Sequence, residues 1–485
     1  MRTKLLPLLF SLTLAGCTVG PDYVKPSLPV ASTWNQQGAL DQRVAAAPAP
    51  TLDTWWNGFG DPELATIVSR VVAQNLDLAA SAARVDQASA AAQHAHADRL
   101  PQGSLDGTAA RLRQSERSPL GKLASPTPGY ERNQTYEDLG VGASWELDLA
   151  GGLRRGDESA NASYQAAEAT HAGVRITLVA EAADAYFRVR GAQARIAIAN
   201  EQIGNEQGLV DLVQLRLDHG LGTVREVAQA QALLLQAQAT VPPLQAELDT
   251  QLNRLDVLMG AAPGTYAKEI ASSTQPFQIP TVDGAGGPAS LLRRRPDVIA
   301  AERELAASNA RIGVALSQYY PSVSLSGLLG FASLDSGKLF TGSALQSQGA
   351  LGLHWRLFDF GRVDAEVKQA RGANAEALAR YRGQMLKATE DVENAIVSLT
   401  QLEAQHAVLV NEVDAHVRAR DAAQDAYKGG AVSLLEVLDE DRQLLGSRDL
   451  LARVHTDDAR AAVSAFRALG GGWDAPADAV ADVKR

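Results

Sequence analysis

The sequence predicts a mainly α-helical chain with a small transmembrane β part, internally duplicated to give four strands and long α-helices per protomer. Three observations predict it. From Gly349, Leu351, Leu353, Trp355 and Leu357 alternate with Gly352, His354 and Arg356, a two-residue period with one apolar face. At Asp359-Phe360-Gly361-Arg362 the period changes. Val363, Val367, Ala370, Ala377, Tyr381, Met385, Ala388 and Val392 begin a stripe that reaches Val417 in steps of three, four or seven, as on one face of a helix. No proline falls between Pro321 and Pro476, and at ~1.5 Å per residue Arg362 to Lys428 spans roughly 100 Å. Finally, the two halves of the chain align at an offset of 210 residues. Trp145-Glu146-Leu147 matches Trp355-Arg356-Leu357, Gly220 to Thr223 matches Gly430 to Ser433, and Glu226-Val227 matches Glu436-Val437.

Composition narrows the class. The chain has 485 residues and a formal net charge of −11, a balance that argues against a nucleic-acid partner. Aromatics make up only 5%, and abundant alanine suits helices in close contact. Residues 1–16 read as a secretory signal, with Arg2 and Lys4 ahead of the apolar run Leu5 to Leu14. The single cysteine, Cys17, excludes a disulfide scaffold within one chain. Leu14-Ala15-Gly16-Cys17 resembles a bacterial lipobox, which makes Cys17 the expected lipid anchor, and by the same resemblance Thr18 favours the outer membrane.

Residues 17–61, rich in proline and alanine, read as an extended arm pinned by Trp34, Trp55, Trp56 and Phe59. The first repeat covers 62–260. It opens with a helix from Asp61-Pro62 to about Arg99, and a β-hairpin over 102–149 follows. A long helix then spans 153–219, and a return helix over 224–260 is broken at Pro242-Pro243. Residues 261–290 read as a linker. The second repeat covers 291–470: a helix over 297–319, a hairpin over 322–358, a long helix over 362–428 and a return helix over 433–469. A tail, 471–485, completes the chain.

No apolar run of ~18 residues follows the signal, so any membrane crossing falls to strands. Strands cross a bilayer only as a closed barrel. Four strands cannot close one, since single-chain barrels begin at about eight strands. Three copies give twelve, so the expectation is a trimeric 12-stranded β-barrel continued by an α-helical periplasmic tunnel.

Three segments carry a family resemblance over nearly the whole mature chain. They are Cys17-Thr18-Val19-Gly20-Pro21-Asp22-Tyr23 with Pro26, then Leu292-Arg293-Arg294-Arg295-Pro296-Asp297 with Ala301-Glu302 and Ile312-Gly313, and the paired turns at Gly220 and Gly430. Together they resemble the TolC-like outer-membrane factors, in the lipoprotein (OprM/NodT-like) branch. That resemblance implies a homotrimeric exit duct, set in outer-membrane lipid and docked to a periplasmic adaptor and an inner-membrane pump. It also implies a periplasmic aperture held by Tyr427 and lined by Glu226, Glu436 and Asp439. Val432 stands where some members place an arginine link, and Arg225, beside the first turn, is the candidate substitute. The spacing of Glu436 and Asp439 puts both on one helical face, and three copies would ring an axis with negative charge. No cofactor is expected beyond the lipid on Cys17.

An enzyme is the rival class. His94 and His96 are two apart and share no helical face, no His-Glu-x-x-His or phosphate loop occurs, and no catalytic or metal residue is expected. A lipid-anchored helical scaffold without a channel would account for the rods but not for the amphipathic strands.

Overall fold

The duplication read from the sequence reappears in the element bounds of the computed structural model, which describes residues 18–27, 33–42, 50–271, 277–282 and 287–473. Cys17, the signal segment and residues 474–485 of the tail lie outside the described residues. In chain order the elements are α1 (Gln37–Gln42), α2 (Pro62–Gln74), α3 (Leu76–Ala97), β1 (Gln102–Arg113), α4 (Pro119–Ala124), β2 (Asn133–Leu147), α5 (Gly152–Asp218) and α6 (Val224–Leu258). There follow α7 (Ala267–Ala271), α8 (Pro288–Arg294), α9 (Pro296–Ser317), β3 (Ser322–Ser333), β4 (Leu345–His354), α10 (Arg362–Lys428) and α11 (Leu434–Ala468). Helices α5 and α10 each run 67 residues, and α6 and α11 each run 35. Each pair begins and ends at the same offset of 210 that the sequence showed.

The chain divides into two compact units, each drawn from both repeats. One comprises Met1–Pro26, Val85–Ala167 and Ala301–Tyr381; the other comprises Ser27–Arg84, Glu168–Ala300 and Arg382–Arg485.

The first unit holds one antiparallel sheet in the order β1-β2-β3-β4. Its register sorts the side chains by face. Trp145 pairs with Leu325 and Leu325 with Leu351, while Leu139 pairs with Phe331 and Phe331 with Leu345. These rows share one face. The alternate positions, Ser104, Asp106, Ser144, Glu146, Ser324, Gln346 and Gln348, share the other. Leu105, Val141, Leu329 and Leu351 on the apolar face are exposed. β1 and β4 are the edges, and neither pairs along its outer side among the described residues.

Two tryptophans set the lower limit of this sheet. The Trp145 indole donates to the Arg99 carbonyl at 2.9 Å and the Trp355 indole to the Tyr319 carbonyl at 3.0 Å, one bond per repeat. β4 is also shifted from its sequence reading. It runs from Leu345 to His354, leaving Trp355 and Leu357 beyond its end. The reason is the partner strand: His354 pairs with Ser322, and the next partner residue is Pro321, which has no N–H for the ladder. β2 likewise stops at Leu147, short of the expected Leu149.

The second unit is built on an apolar core from α2, α5, α6, α10 and α11, with Phe187, Leu255, Leu399 and Phe466 among its fully buried residues. The arm contributes to it. Trp55 stacks on Phe466 at 5.3 Å, and Phe59 lies 4.7 Å from Phe187. The arm is more regular than the extended segment expected, with α1 and a 3-10 stretch over Leu52–Phe59.

Three further expectations need correction. The first helix breaks at Asn75, whose backbone is extended. Its side-chain amide donates to the Leu258 carbonyl at 2.8 Å and its oxygen accepts from Leu78 N at 2.9 Å, so one side chain caps α3 and ties down the end of α6. Conversely, α6 is continuous through Pro242-Pro243. The two missing donors leave the carbonyls of Gln238 and Ala239 unpaired in the helix, and both residues are exposed, where water can satisfy them. Segments read as loop or linker carry the short helices α4, α7 and α8; α4 is nucleated by Ser118, which accepts from Gly121 N at 3.1 Å.

Candidate aperture at the helix reversals

Two reversals in the second unit carry the expected aperture residues. Each long helix ends on a glycine at positive φ, +73° at Gly220 and +75° at Gly430, which only glycine adopts readily. The bonding is the same at both. Leu221 N donates to the Arg216 carbonyl at 2.8 Å and Gly220 N to Leu217 at 2.9 Å; Ala431 N donates to Ala426 at 2.9 Å and Gly430 N to Tyr427 at 2.9 Å. This is a Schellman closure, which satisfies the last carbonyls of the helix. The return helices then start on matched caps. The Glu226 carboxylate accepts from Thr223 N at 2.7 Å, and the Glu436 carboxylate from Ser433 N at 3.3 Å.

Between the reversals lies a small apolar core of Val213, Val227, Leu233, Tyr427, Leu434, Val437 and Leu438. Tyr427 is 6% exposed. The Arg216 guanidinium sits 4.8 Å from the centre of its ring, a cation–π contact that joins the end of α5 to the end of α10. Burial raises the Tyr427 phenol above its ordinary value; Arg216 opposes that shift and Glu226 adds to it.

The structure therefore brings together Tyr427, Glu226 and Arg216. Arg216 was missed in the sequence. Glu436 and Asp439 are both exposed, with Asp439 accepting from Gln443 at 2.9 Å and lying 3.8 Å from Arg442. Arg225 is exposed, and Val432 packs at the margin of the core. The arginine that meets the tyrosine is Arg216, from the preceding helix, rather than Arg225. A signal for it existed in the offset: Tyr427 aligns with Leu217, so the residue beside Leu217 is placed to meet whatever replaces that leucine.

The other motif residues are structural clamps. In the second unit, buried Arg295 donates to the Ala388 and Ala468 carbonyls at 3.2 and 3.3 Å, and to Asp297 and Asp391 at 2.6 and 2.9 Å. Burial alone would raise Asp297, but the bonds from Arg295 hold it below the usual carboxylate range. In the first unit, Tyr23 donates to Glu302 at 2.7 Å and Arg155 reaches the Val19 and Gly20 carbonyls and Asp22. The segment after Cys17 is thus strapped onto α5 and α9. His94 and His96 go to separate carboxylates, Asp98 at 3.4 Å and Asp157 at 3.3 Å.

A family model described as outer membrane efflux protein matches residues 67–261 and 287–471. The chain belongs to that family. This outer membrane efflux protein is 33% identical over 482 residues to the pyoverdine export outer membrane protein OpmQ of Pseudomonas putida, across 97% of each chain. It is 30% identical over 471 residues to nodulation protein T of Rhizobium leguminosarum bv. trifolii, again across 97% of each. Its fold matches the solved outer-membrane channel OprN with a TM-score of 0.84 at 33% identity, over 94% of this chain and 100% of that one. The efflux protein is an outer-membrane protein of a Gram-negative cell that extends into the periplasm, and it serves as the exit duct of a three-part efflux system.

Proposed function

We propose that three copies of the chain close their sheets into a twelve-stranded barrel and their long helices into a periplasmic tunnel. The duct is passive, and no step of conduction is catalytic. One observation carries this reading: among the described residues the sheet of a single chain is open at both edges and exposes an apolar face, while no described helix is long and apolar enough to cross a membrane. Open strand edges do not persist in lipid, so each β4 needs the β1 of another copy. Lipid on Cys17 holds the arm at the membrane, and the strap from Thr18 to Tyr23 anchors that arm to the body of the first unit.

The reversals form the periplasmic aperture. The Tyr427–Arg216 contact holds the closed form, and rings of Glu436 and Asp439 favour cations at the constriction. Exposed Leu221, Val224 and Leu435 give the tips an apolar surface for a periplasmic adaptor, which in turn engages an inner-membrane pump.

The experiment is single-channel recording in planar bilayers. Tyr427→Leu gives the second reversal the residue that the first carries at Leu217; combined with Glu436→Ala it raises conductance. Losing ~1 kcal/mol of cation–π contact shifts a closed-to-open ratio about fivefold. Tyr427→Phe keeps the ring over Arg216 and leaves conductance near that of the parent. An unchanged conductance in the double variant removes these residues from the aperture.

A further inference from the structure

Behind the aperture, two carboxyl groups are buried where nothing described so far uses them. Glu206, on α5 ten residues before Arg216 and so about 15 Å along the helix from it, is 1% exposed. Its Oε1 accepts from the Gln202 amide, and its Oε2 is buried with no hydrogen-bond partner among the described residues. Asp441, on α11 two residues past Asp439, is 3% exposed, and its Oδ1 also lacks a hydrogen-bond partner among the described residues. The nearest cation, Arg420 on α10, lies 3.8 Å from Asp441 Oδ1, and its Nε is committed to Asp421 at 2.8 Å. One guanidinium, shared with Asp421, cannot balance two buried carboxylates as well.

We propose that Glu206 and Asp441 form a proton-binding site that holds α11 against α5 in the closed aperture, and that release of the proton loosens this packing and favours opening. Ionised, Glu206 leaves Oε2 buried without a donor and is opposed by the charge of Asp441; protonated, it is relieved of both costs. The site adjoins the apolar core through Val437 and Leu438, so movement of α11 there reaches Tyr427 directly.

The charges acting on the pair are few. Burial pushes Glu206 up to about 7, the charge of Asp441 adds to the rise, and the Gln202 amide opposes it. Burial likewise raises Asp441, against Arg420 and with Asp421. Close by on α10 and α11, His416 lies 3.5 Å from Glu440 and 4.0 Å from Glu412. No charged residue of α6 is among the groups that shift either carboxyl. The sign follows from a folded-state value above the ordinary 4.5: the stabilisation is complete below about 4.5 and is lost as pH rises through about 7.

The inference rests on the aperture reading, and its test separates the two. Conductance of the full-length protein in planar bilayers is recorded across that pH window for the parent, Glu206→Gln and His416→Asn. Expected are a rise in parent conductance as pH passes about 7, its loss in Glu206→Gln, which stays in the low-conducting form throughout, and its retention in His416→Asn. Infrared difference spectra provide a second readout that does not depend on gating: a protonated-carboxyl band disappears over the same window and is missing from Glu206→Gln. A parent conductance that ignores pH, a Glu206→Gln channel that keeps the dependence, a His416→Asn channel that loses it, or the absence of the band would each overturn the proposal. If Tyr427→Leu with Glu436→Ala still raises conductance at low pH, the aperture reading survives that failure; if it does not, both fall.

Discussion

The two helix reversals have one backbone and two chemistries. Gly220 and Gly430 adopt the same left-handed turn, the same pair of bonds closes each long helix, and Thr223–Glu226 and Ser433–Glu436 start each return helix alike. They part at the position before the turn, where Leu217 of the first repeat becomes Tyr427 of the second. They part again at Arg216, whose counterpart by offset is Ala426. The duplication supplies the geometry, and the departures from it supply a specific contact. Because Arg216 belongs to the first repeat and Tyr427 to the second, that contact ties the two repeats together at non-equivalent positions.

The strongest way to break this comparison is truncation at the site of divergence. Tyr427→Ala removes a nearly fully buried ring and is expected to destabilise the reversal by about 3–5 kcal/mol, whereas Leu217→Ala, at a partly buried position, costs about 2 kcal/mol. Hydrogen exchange of the amides around each reversal reads both, and equal losses would mean that the tyrosine is only packing. A smaller effect sharpens what the reversals share. Gly220→Ala and Gly430→Ala each force a β-carbon into the left-handed region at about 1–2 kcal/mol, and the two losses should agree. A large difference between them would show that the turns are not energetic equivalents.

Much of this fold was legible because its signals are local and repeated. Glycine stops and unbroken stripes placed both long helices to within a residue, and the 210-residue offset fixed the return helices. What escaped notice depends on partners distant in sequence. Asn75 breaks the first helix because its side chain finds the Leu258 carbonyl. β4 ends at His354 because Pro321 lies opposite. Pro242-Pro243 looked like a stop, yet the carbonyls they orphan face outward and the helix continues. At the reversals, Tyr427, Glu226, Glu436 and Asp439 were named by the family resemblance, and Glu226 and Glu436 also by the match between repeats. Arg216 was not, since a contact across two helices leaves no spacing to read. Glu206 and Asp441 were not singled out, because nothing in the sequence marks their burial.

The central claim is that one chain supplies a third of a closed barrel, its sheet edges awaiting copies of itself. Native mass determination of the detergent-purified protein tests this most directly. The account predicts a complex of three chains. A folded single chain that stays in solution without lipid or detergent would contradict it.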